Sequence, residues 1–396
     1  MTEISEEETM ITLEDYYVPL FEFRNNLFVS YGGIRALALL SAKYLPNLCL
    51  PDKAIRLLEE VGAFVKNHSN DILIEEKHIR KVLSDKTQIP LENLQNQEKE
   101  KLLNLEQLLR ARVVGQEEGI SELASALRRS AVQVNTKRGP IGSFLFLGST
   151  GVGKTETAKA LADIYFGSEQ KMIRLDMSEF QNPQDTEKIL GDFENPGPFI
   201  TLVRENPFSL VLIDEIEKAH PNILNLFLQI LDEGWITDGV GKKVDFQNTI
   251  IIATSNAGSE IIRQDVNLDK NLNLLKSELL NIIMQQGLFK PELINRFDGV
   301  VVFRPLTLEN LMEIAQMQLK KVAEQLKDKG IILEITRELK EKIAQISYSP
   351  TFGAREMRRI LQDKVENSLA KVLLAGIIKR GDTIQISPID FNVIKI

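Results

Sequence analysis

The pattern of apolar and polar positions divides the chain into four parts. Residues 1–95 have helical periodicity, and residues 96–112, rich in Glu, Lys, Leu and Gln, are predicted to form a solvated linker helix. Over residues 113–303, short apolar runs alternate with helical segments, which is typical of an α/β fold with a parallel sheet. Residues 304–396 are predicted to be helical again and to end in a short strand-like piece at 382–387. The sequence therefore predicts an α/β core flanked by helical regions.

A phosphate-binding pattern lies at the first strand-to-helix junction of the α/β region. Residues 148–155 complete the pattern G-x-x-x-x-G-K-[ST], between a predicted strand at 143–147 and a predicted helix at 156–162. Glycines let the backbone wrap closely around a polyphosphate, and the helix N-terminus adds its positive dipole end. The Thr155 hydroxyl is also suited to ligate Mg²⁺. We therefore expect nucleotide binding by Gly148, Ser149, Thr150, Gly151, Val152, Gly153, Lys154 and Thr155.

Two further apolar runs deliver polar residues to the same predicted sheet edge. Asp214 and Glu215 follow the run at 210–213, and Asn256 ends the run that begins at 249. Asp214 is suited to hold the Mg²⁺ shell, and Glu215 is suited to polarise a water for attack on a γ-phosphate. Asn256 can hydrogen-bond that phosphate or that water. Taken alone, the acidic pair also fits a helix cap and Asn256 also fits a turn.

Composition excludes several classes of protein. The chain has 396 residues, of which 43% are hydrophobic and 26% charged, as in ordinary soluble globular proteins. A single cysteine excludes an intramolecular disulfide, and three histidines with that cysteine offer no metal-ligand spacing. No apolar run is long enough to span a bilayer, and the net charge of −8 argues against nucleic-acid binding. We expect a cytoplasmic protein with neither a membrane nor a nucleic-acid partner.

Beyond these motifs, further segments resemble the second AAA+ module of Clp-type unfoldases, above all that of ClpB-like chaperones. The resemblance covers roughly residues 100–390, where the motifs follow one another in the same order as in the family, and their combination is specific. It implies an AAA+ P-loop NTPase core over 113–303, followed by a small helical lid over 304–396. The segments that carry it are 112–116, 140–146, 214–221, 254–259, 291–298 and 353–355.

The resemblance also assigns roles to residues that their spacing alone does not. It implies that Val113 and Val114 line the adenine pocket, with ATP and Mg²⁺ as cofactors. Arg296 matches the arginine finger, which acts on a neighbouring subunit's ATP, and Arg355 matches the lid arginine, which acts within its own subunit. A finger in trans implies a homo-oligomeric ring, a hexamer in this family. The expected catalytic residues are Glu215, Asn256, Arg296 and Arg355.

The N-terminal residues bear on the architecture. Residues 1–95 resemble the small helical lid of a first AAA+ module, without the ATPase core that precedes it in the family, and residues 81–91 resemble the inter-module linker. Two interpretations stay open: the chain is the C-terminal part of a two-module unfoldase, or it is a natural protein that lacks the first ring.

Three departures from the family pattern affect the functional prediction. The substrate-gripping pore loop, at 190–199, is shortened, and Phe193 is its best candidate aromatic, unless that ring packs beneath its own loop. The coiled-coil insertion of ClpB-like disaggregases is missing between residues 57 and 71. The peptidase-docking tripeptide is missing from 259–286, so we expect no docking to a ClpP-like peptidase. Separate from these departures is a second candidate pore loop, at 232–239, where Trp235 is expected either to contact substrate or to pack against a neighbouring subunit.

The main prediction is an ATP-dependent unfoldase or remodelling chaperone that threads unfolded or misfolded polypeptide through the pore of a ring. The alternative is the regulatory ATPase subunit of a Clp-type compartmental protease. A nucleic-acid motor and a non-catalytic ring are the less favoured interpretations, because of the acidic charge balance and the intact catalytic set.

Overall fold

The computed structural model describes residues 4–45, 48–69, 71–87, 94–131, 139–265, 272–348 and 353–396. The predicted linker at 81–91 and the segment at 259–286 lie partly outside the described residues. No helix in the described ranges is long and apolar enough to cross a membrane.

The N-terminal region is helical, with one small parallel pair of strands. Ser5 and Glu8 form a capping box at its first helix, and the Ser30 hydroxyl caps the third by accepting from the Gly33 N–H at 3.0 Å. Buried leucines and valines on four helices give the region its own apolar cluster. Its elements are α1 (Glu6–Thr12), α2 (Val18–Asn25), β1 (Phe28–Val29), α3 (Tyr31–Tyr44), α4 (Asp52–His68), β2 (Leu73–Ile74) and α5 (Glu76–Thr87), with a π-helical turn at Leu13–Tyr17.

The predicted linker helix packs one face against the ATPase core. Helix α6 (Leu94–Arg110) buries Leu102, Leu105 and Leu109, which share an apolar cluster with helix α7 (Glu117–Ala131). These leucines recur at spacings of three and four, so one face of the helix is apolar. The predicted helix is present, and the structure adds that one of its faces is buried, a stripe that the many charged residues masked in the sequence.

The α/β region contains the predicted parallel sheet. Five strands pair in the order β4-β5-β8-β3-β9, all parallel, while β6 and β7 form a separate antiparallel hairpin. Short 3₁₀ turns lie at Glu169–Lys171, Met177–Glu179, Pro183–Asp185 and Ile216–Lys218. The elements are β3 (Gly142–Leu147), α8 (Lys154–Phe166), β4 (Met172–Asp176), α9 (Thr186–Leu190), α10 (Pro198–Glu205), β5 (Leu210–Asp214), α11 (Pro221–Glu233), β6 (Trp235–Thr237), β7 (Lys243–Asp245), β8 (Ile250–Ser255), α12 (Ser259–Asp265), α13 (Leu272–Gln285), α14 (Pro291–Ile294) and β9 (Gly299–Val302).

Sheet order places the functional motifs side by side. Strands β5, β8 and β3 are adjacent, and every residue of the three is buried. The phosphate loop follows β3, Asp214 ends β5, and Asn256 follows β8 directly. Because the strands are parallel, their carboxyl ends meet at one edge, where open α/β sheets bind ligands.

The C-terminal region is a helical lid with a small sheet of its own. Strands β10, β11 and β12 form it, the first pair parallel and the second antiparallel. The sequence predicted only the middle strand, because β10 and β12 have three residues each and are too short to show periodicity. The elements are α15 (Leu308–Asp328), β10 (Ile332–Glu334), α16 (Arg337–Ser347), α17 (Arg355–Ile360), α18 (Asn367–Leu374), β11 (Thr383–Ile386) and β12 (Val393–Lys395), with a π-helical turn at Leu361–Glu366.

The N-terminal region contacts the ATPase core through the end of α3. The Tyr44 ring stacks on Phe208 with centroids 4.9 Å apart, and the Asn248 side-chain amide donates to the Lys43 carbonyl at 3.0 Å. Phe208 precedes β5 and Asn248 precedes β8, so the contact lies at the amino ends of the central strands, opposite the phosphate loop.

Candidate nucleotide site

A cleft of about 630 Å³ opens at the carboxyl edge of the sheet, between the ATPase core and the lid. The phosphate loop lines it, and its turn depends on glycine, because Gly151 and Gly153 adopt φ angles of 78° and 112°. Helix α8 begins at Lys154, so the free N–H groups of its first turn face the loop. This is the arrangement of an anion-binding site.

Lys154 is held inside the loop by oxygen atoms. Its ammonium donates to the carbonyls of Gly148 and Ser149 and to Asn256 Oδ1, the last at 2.9 Å. Burial lowers the pKa of this ammonium to about 8, although the nearby carboxylates of Glu217, Asp214 and Glu215 raise it. Lys154 lines the cleft beside the predicted acidic pair.

Asp214 is buried and accepts hydrogen bonds on both carboxylate oxygens. Thr254 Oγ1 donates to Oδ1, and Arg174 Nη2 donates to Oδ2 at 2.6 Å. Sequence reasoning missed Arg174, which is on β4, the strand next to β5, and also lines the cleft. The sequence contained one indication of its role: Arg174 is a charged residue within a short apolar run that ends before Asp176.

Glu215 has a backbone conformation that is rare outside glycine. Its φ and ψ are 56° and 48°, in the left-handed region, which is sparsely populated and often marks functional sites. Its N–H donates to Thr254 Oγ1 at 3.2 Å, and its carboxylate forms an ion pair with Lys218. The backbone thus turns Glu215 out of the strand at the cleft wall.

The lid closes the cleft by touching the phosphate loop itself. The Ala354 N–H donates to the Gly151 carbonyl at 3.0 Å. Gly353 has a φ of 54°, and a Cβ at that position would lie 2.7 Å from the same carbonyl oxygen. Arg355 follows at the first turn of α17 and lines the cleft, close enough to Lys154 to lower its pKa by charge repulsion.

The opposite wall consists of residues before α7. Val113 and Val114 are buried and line the cleft, where the resemblance predicted the adenine pocket. The adjacent Arg112 is fixed by ion pairs with Asp163 at 2.8 Å and with Glu169. These contacts attach the wall to α8.

Comparison with known proteins agrees with this architecture. Family models match residues 5–109 as an AAA lid domain, 139–300 as an AAA domain of the Cdc48 subfamily, and 306–386 as the C-terminal, D2-small domain of ClpB protein. In the structure of Hsp104 with ATPyS and FITC casein in its closed state, the similar chain is 33% identical with a TM-score of 0.85, and the match covers all of this chain and 69% of that one. The Saccharomyces cerevisiae Hsp104:casein complex in its extended conformation gives 32% identity, a TM-score of 0.84 and the same coverage.

The chain belongs to the Clp-type AAA+ family. Two curated relatives illustrate its place there. The chaperone protein ClpB of Meiothermus ruber is 42% identical over 315 residues, which cover 78% of this chain and 37% of that protein. The ATP-dependent Clp protease ATP-binding subunit ClpE of Bacillus subtilis (strain 168) is 37% identical over 411 residues, 89% of this chain and 59% of that protein. The chain therefore spans about two fifths to three fifths of the length of these relatives.

The Clp-type resemblance singled out two arginines, Arg296 and Arg355. Arg355 lines this chain's own cleft, and Arg296 does not. Arg296 follows α14 and pairs with Asp232 at 2.8 Å with half of its side chain exposed.

The loop at 190–199, which the sequence predicted to line a pore, presents its aromatic ring to solvent. Phe193 is 94% exposed, so it does not pack beneath its own loop. The loop is tight: Asp192 Oδ1 accepts from the N–H groups of Glu194 and Asn195 at 2.8 and 2.7 Å, and Gly191 and Pro196 form a β-bridge. In the second loop, Trp235 is half-buried on the β6–β7 hairpin with the Lys243 ammonium 4.4 Å from its ring.

The residues predicted to hold Mg²⁺ fit that ion chemically. The Thr155 hydroxyl and the Asp214 carboxylate line the same cleft, and both are hard oxygen donors. Mg²⁺ usually takes one or two protein ligands and completes its shell with phosphates and water. Among the described residues, no cluster of three or more His, Cys, Asp or Glu side chains forms a separate metal cage.

Proposed function

We propose that this chain is an ATP-dependent protein unfoldase or remodelling chaperone. As a subunit of a ring, it would hydrolyse ATP and thread unfolded or misfolded polypeptide through the central pore. The observation that carries the proposal is the convergence of four elements on one cleft: the phosphate loop, the Asp214–Glu215 pair, Asn256 and the lid arginine Arg355. The chaperone name of the ClpB relative and the casein complexes of Hsp104 support the polypeptide substrate.

In this proposal, the side chains of the cleft share the steps of hydrolysis among them. Lys154 would hold the β- and γ-phosphates, while Thr155 and Asp214 would hold Mg²⁺, which neutralises charge on the transferring phosphoryl group. Glu215 would accept a proton from water as the water oxygen bonds to the γ-phosphorus and the bond to ADP breaks. To do so, its carboxylate must leave Lys218, its partner in this structure. Asn256 and Arg355 would contact the γ-phosphoryl oxygens.

Assembly would complete the site. The location of Arg296, outside its own cleft and half exposed, supports a finger role toward a neighbouring subunit in a homo-oligomer, a hexamer by family resemblance. The exposed Phe193 ring supports a grip on extended polypeptide, because an aromatic ring makes sequence-tolerant apolar contacts. We place the protein in the cytoplasm, without nucleic-acid or membrane partners.

The first test is ATP hydrolysis by the purified chain across protein concentrations, with and without casein. Because the finger acts in trans, we expect the rate per subunit to rise with concentration and to respond to casein. A near-zero rate at all concentrations, with nucleotide still bound, would contradict hydrolysis by this chain alone.

The second candidate is the regulatory subunit of a Clp-type compartmental protease. It is favoured by the similarity to the ATP-binding subunit ClpE along 89% of this chain. The absence of the docking tripeptide from the sequence opposes it. ATP-dependent degradation of fluorescent casein after adding a ClpP-like peptidase would establish this candidate, and unfolding without degradation would exclude it.

A further inference from the structure

We propose that Glu217 is a positioning residue that holds Asn256 in place for the reaction. The inference rests on the proposed function, since it concerns the same cleft. Neither the motifs nor the mechanism above gives Glu217 a role. Its carboxylate Oε1 accepts the backbone N–H of Asn256 at 3.0 Å, across the gap between the ends of β5 and β8.

The second carboxylate oxygen of Glu217 lowers the stability of the folded protein. Glu217 Oε2 is buried and has no hydrogen-bond partner among the described residues. An unsatisfied buried oxygen normally destabilises a protein, so its presence calls for an explanation. The Lys154 ammonium, which donates to Asn256 Oδ1, is a nearby cation whose pKa the Glu217 carboxylate raises.

Asn256 is consequently fixed at two points. Glu217 holds its backbone N–H, and Lys154 donates to its side-chain Oδ1 at 2.9 Å. An ammonium can only donate, so the amide oxygen must face Lys154 and the amide N–H₂ is left for acceptors. A phosphate oxygen is such an acceptor, and the carboxylate that fixes the Asn256 backbone therefore sets where this donor lies.

The turn that carries Glu217 also carries the proposed base. The 3₁₀ turn Ile216–Lys218 starts at Glu215, whose carbonyl accepts from the Lys218 N–H at 2.9 Å. Glu215 is itself bonded through its N–H to Thr254 on β8. One short segment thus joins β5 to β8 at both Thr254 and Asn256, and it fixes the separation between the base and the asparagine.

The test is a double-mutant cycle of Glu217→Ala and Asn256→Ala, with two readouts. One is turnover; the other is the ratio of ATP to ADP affinity, measured with fluorescent nucleotides. We expect Glu217→Ala to lower kcat by on the order of tenfold to a hundredfold and the preference for ATP by roughly tenfold. If Glu217 acts through Asn256, the double variant should lose no more than Asn256→Ala does.

Two further variants keep the result interpretable. Glu217→Gln retains an acceptor oxygen, so it should keep most of the parental kcat and most of the preference for ATP. Glu205→Ala removes an exposed carboxylate at the end of α10 and should change neither kcat nor that preference. Additive losses in the double variant, or a Gln variant as impaired as Ala, would overturn the proposal. If the parent chain proves inactive, the nucleotide-preference cycle still tests Glu217, so failure of the proposed function is distinguishable.

Discussion

At the residue scale, Glu215 is where the proposed chemistry is most directly testable. Glu215→Gln keeps the size of the side chain but removes the proton acceptor, so nucleotide should still bind while turnover falls by about 10²–10⁴-fold. Nucleotide affinity and steady-state ATP hydrolysis, measured on the same preparation, separate the two effects.

The matched control is Glu205→Gln, which changes an exposed carboxylate of α10 in the same way. We expect this variant to hydrolyse ATP at the rate of the parent chain. Equal hydrolysis by Glu215→Gln and the parent chain would remove Glu215 from the mechanism.

At the scale of elements, the lid's contact with the phosphate loop should control nucleotide affinity. A Cβ on Gly353 would lie 2.7 Å from the Gly151 carbonyl oxygen, which also accepts the Ala354 N–H. Gly353→Ala should therefore push the lid away and weaken nucleotide binding by roughly tenfold or more. Calorimetric titration with ADP measures this effect.

Gly376→Ala in the same lid is the control. Its φ of 68° imposes a similar left-handed strain, but nothing lies within 4 Å of the added Cβ. Parental ADP affinity in both variants would show that the contact has no influence on binding, even if both melt at lower temperature.

Much of this arrangement could be predicted from the sequence, since buried parallel strands appear as continuous apolar runs. The phosphate loop, Asp214 and Asn256 follow such runs directly, and each was placed at the correct sheet edge. The ion pairs of Arg174 and Arg296 were not predictable, because they join residues from different elements. Short strands such as β10 were missed for want of a clear period, and the buried stripe of α6 was missed because the charged residues of that helix masked it.

For the whole molecule, the proposed threading should depend on the exposed ring at the pore loop. Phe193→Ala removes an aromatic surface that is 94% exposed, and we expect slower unfolding of a folded, tagged substrate and weaker stimulation of hydrolysis by casein. Loss of substrate fluorescence under ATP measures the unfolding rate.

Phe193→Tyr, which keeps an aromatic ring, should restore most of the rate. Leu103→Ala truncates another exposed apolar side chain, on α6, and should leave unfolding at the parental rate. Unfolding by Phe193→Ala at that same rate would contradict a gripping role.

Helix α6 gives the molecule a mechanical property of its own. It runs unbroken for 17 residues, about 25 Å, and no glycine or proline interrupts the chain between its first residue and Val114 at the cleft wall. Its leucine stripe packs on the ATPase core, so the helix is held along one side over most of its length. A displacement of its N-terminal end would therefore have to move the core helices α7 and α8 with it. The segment acts as a brace between the chain that precedes it and the wall beside Arg112.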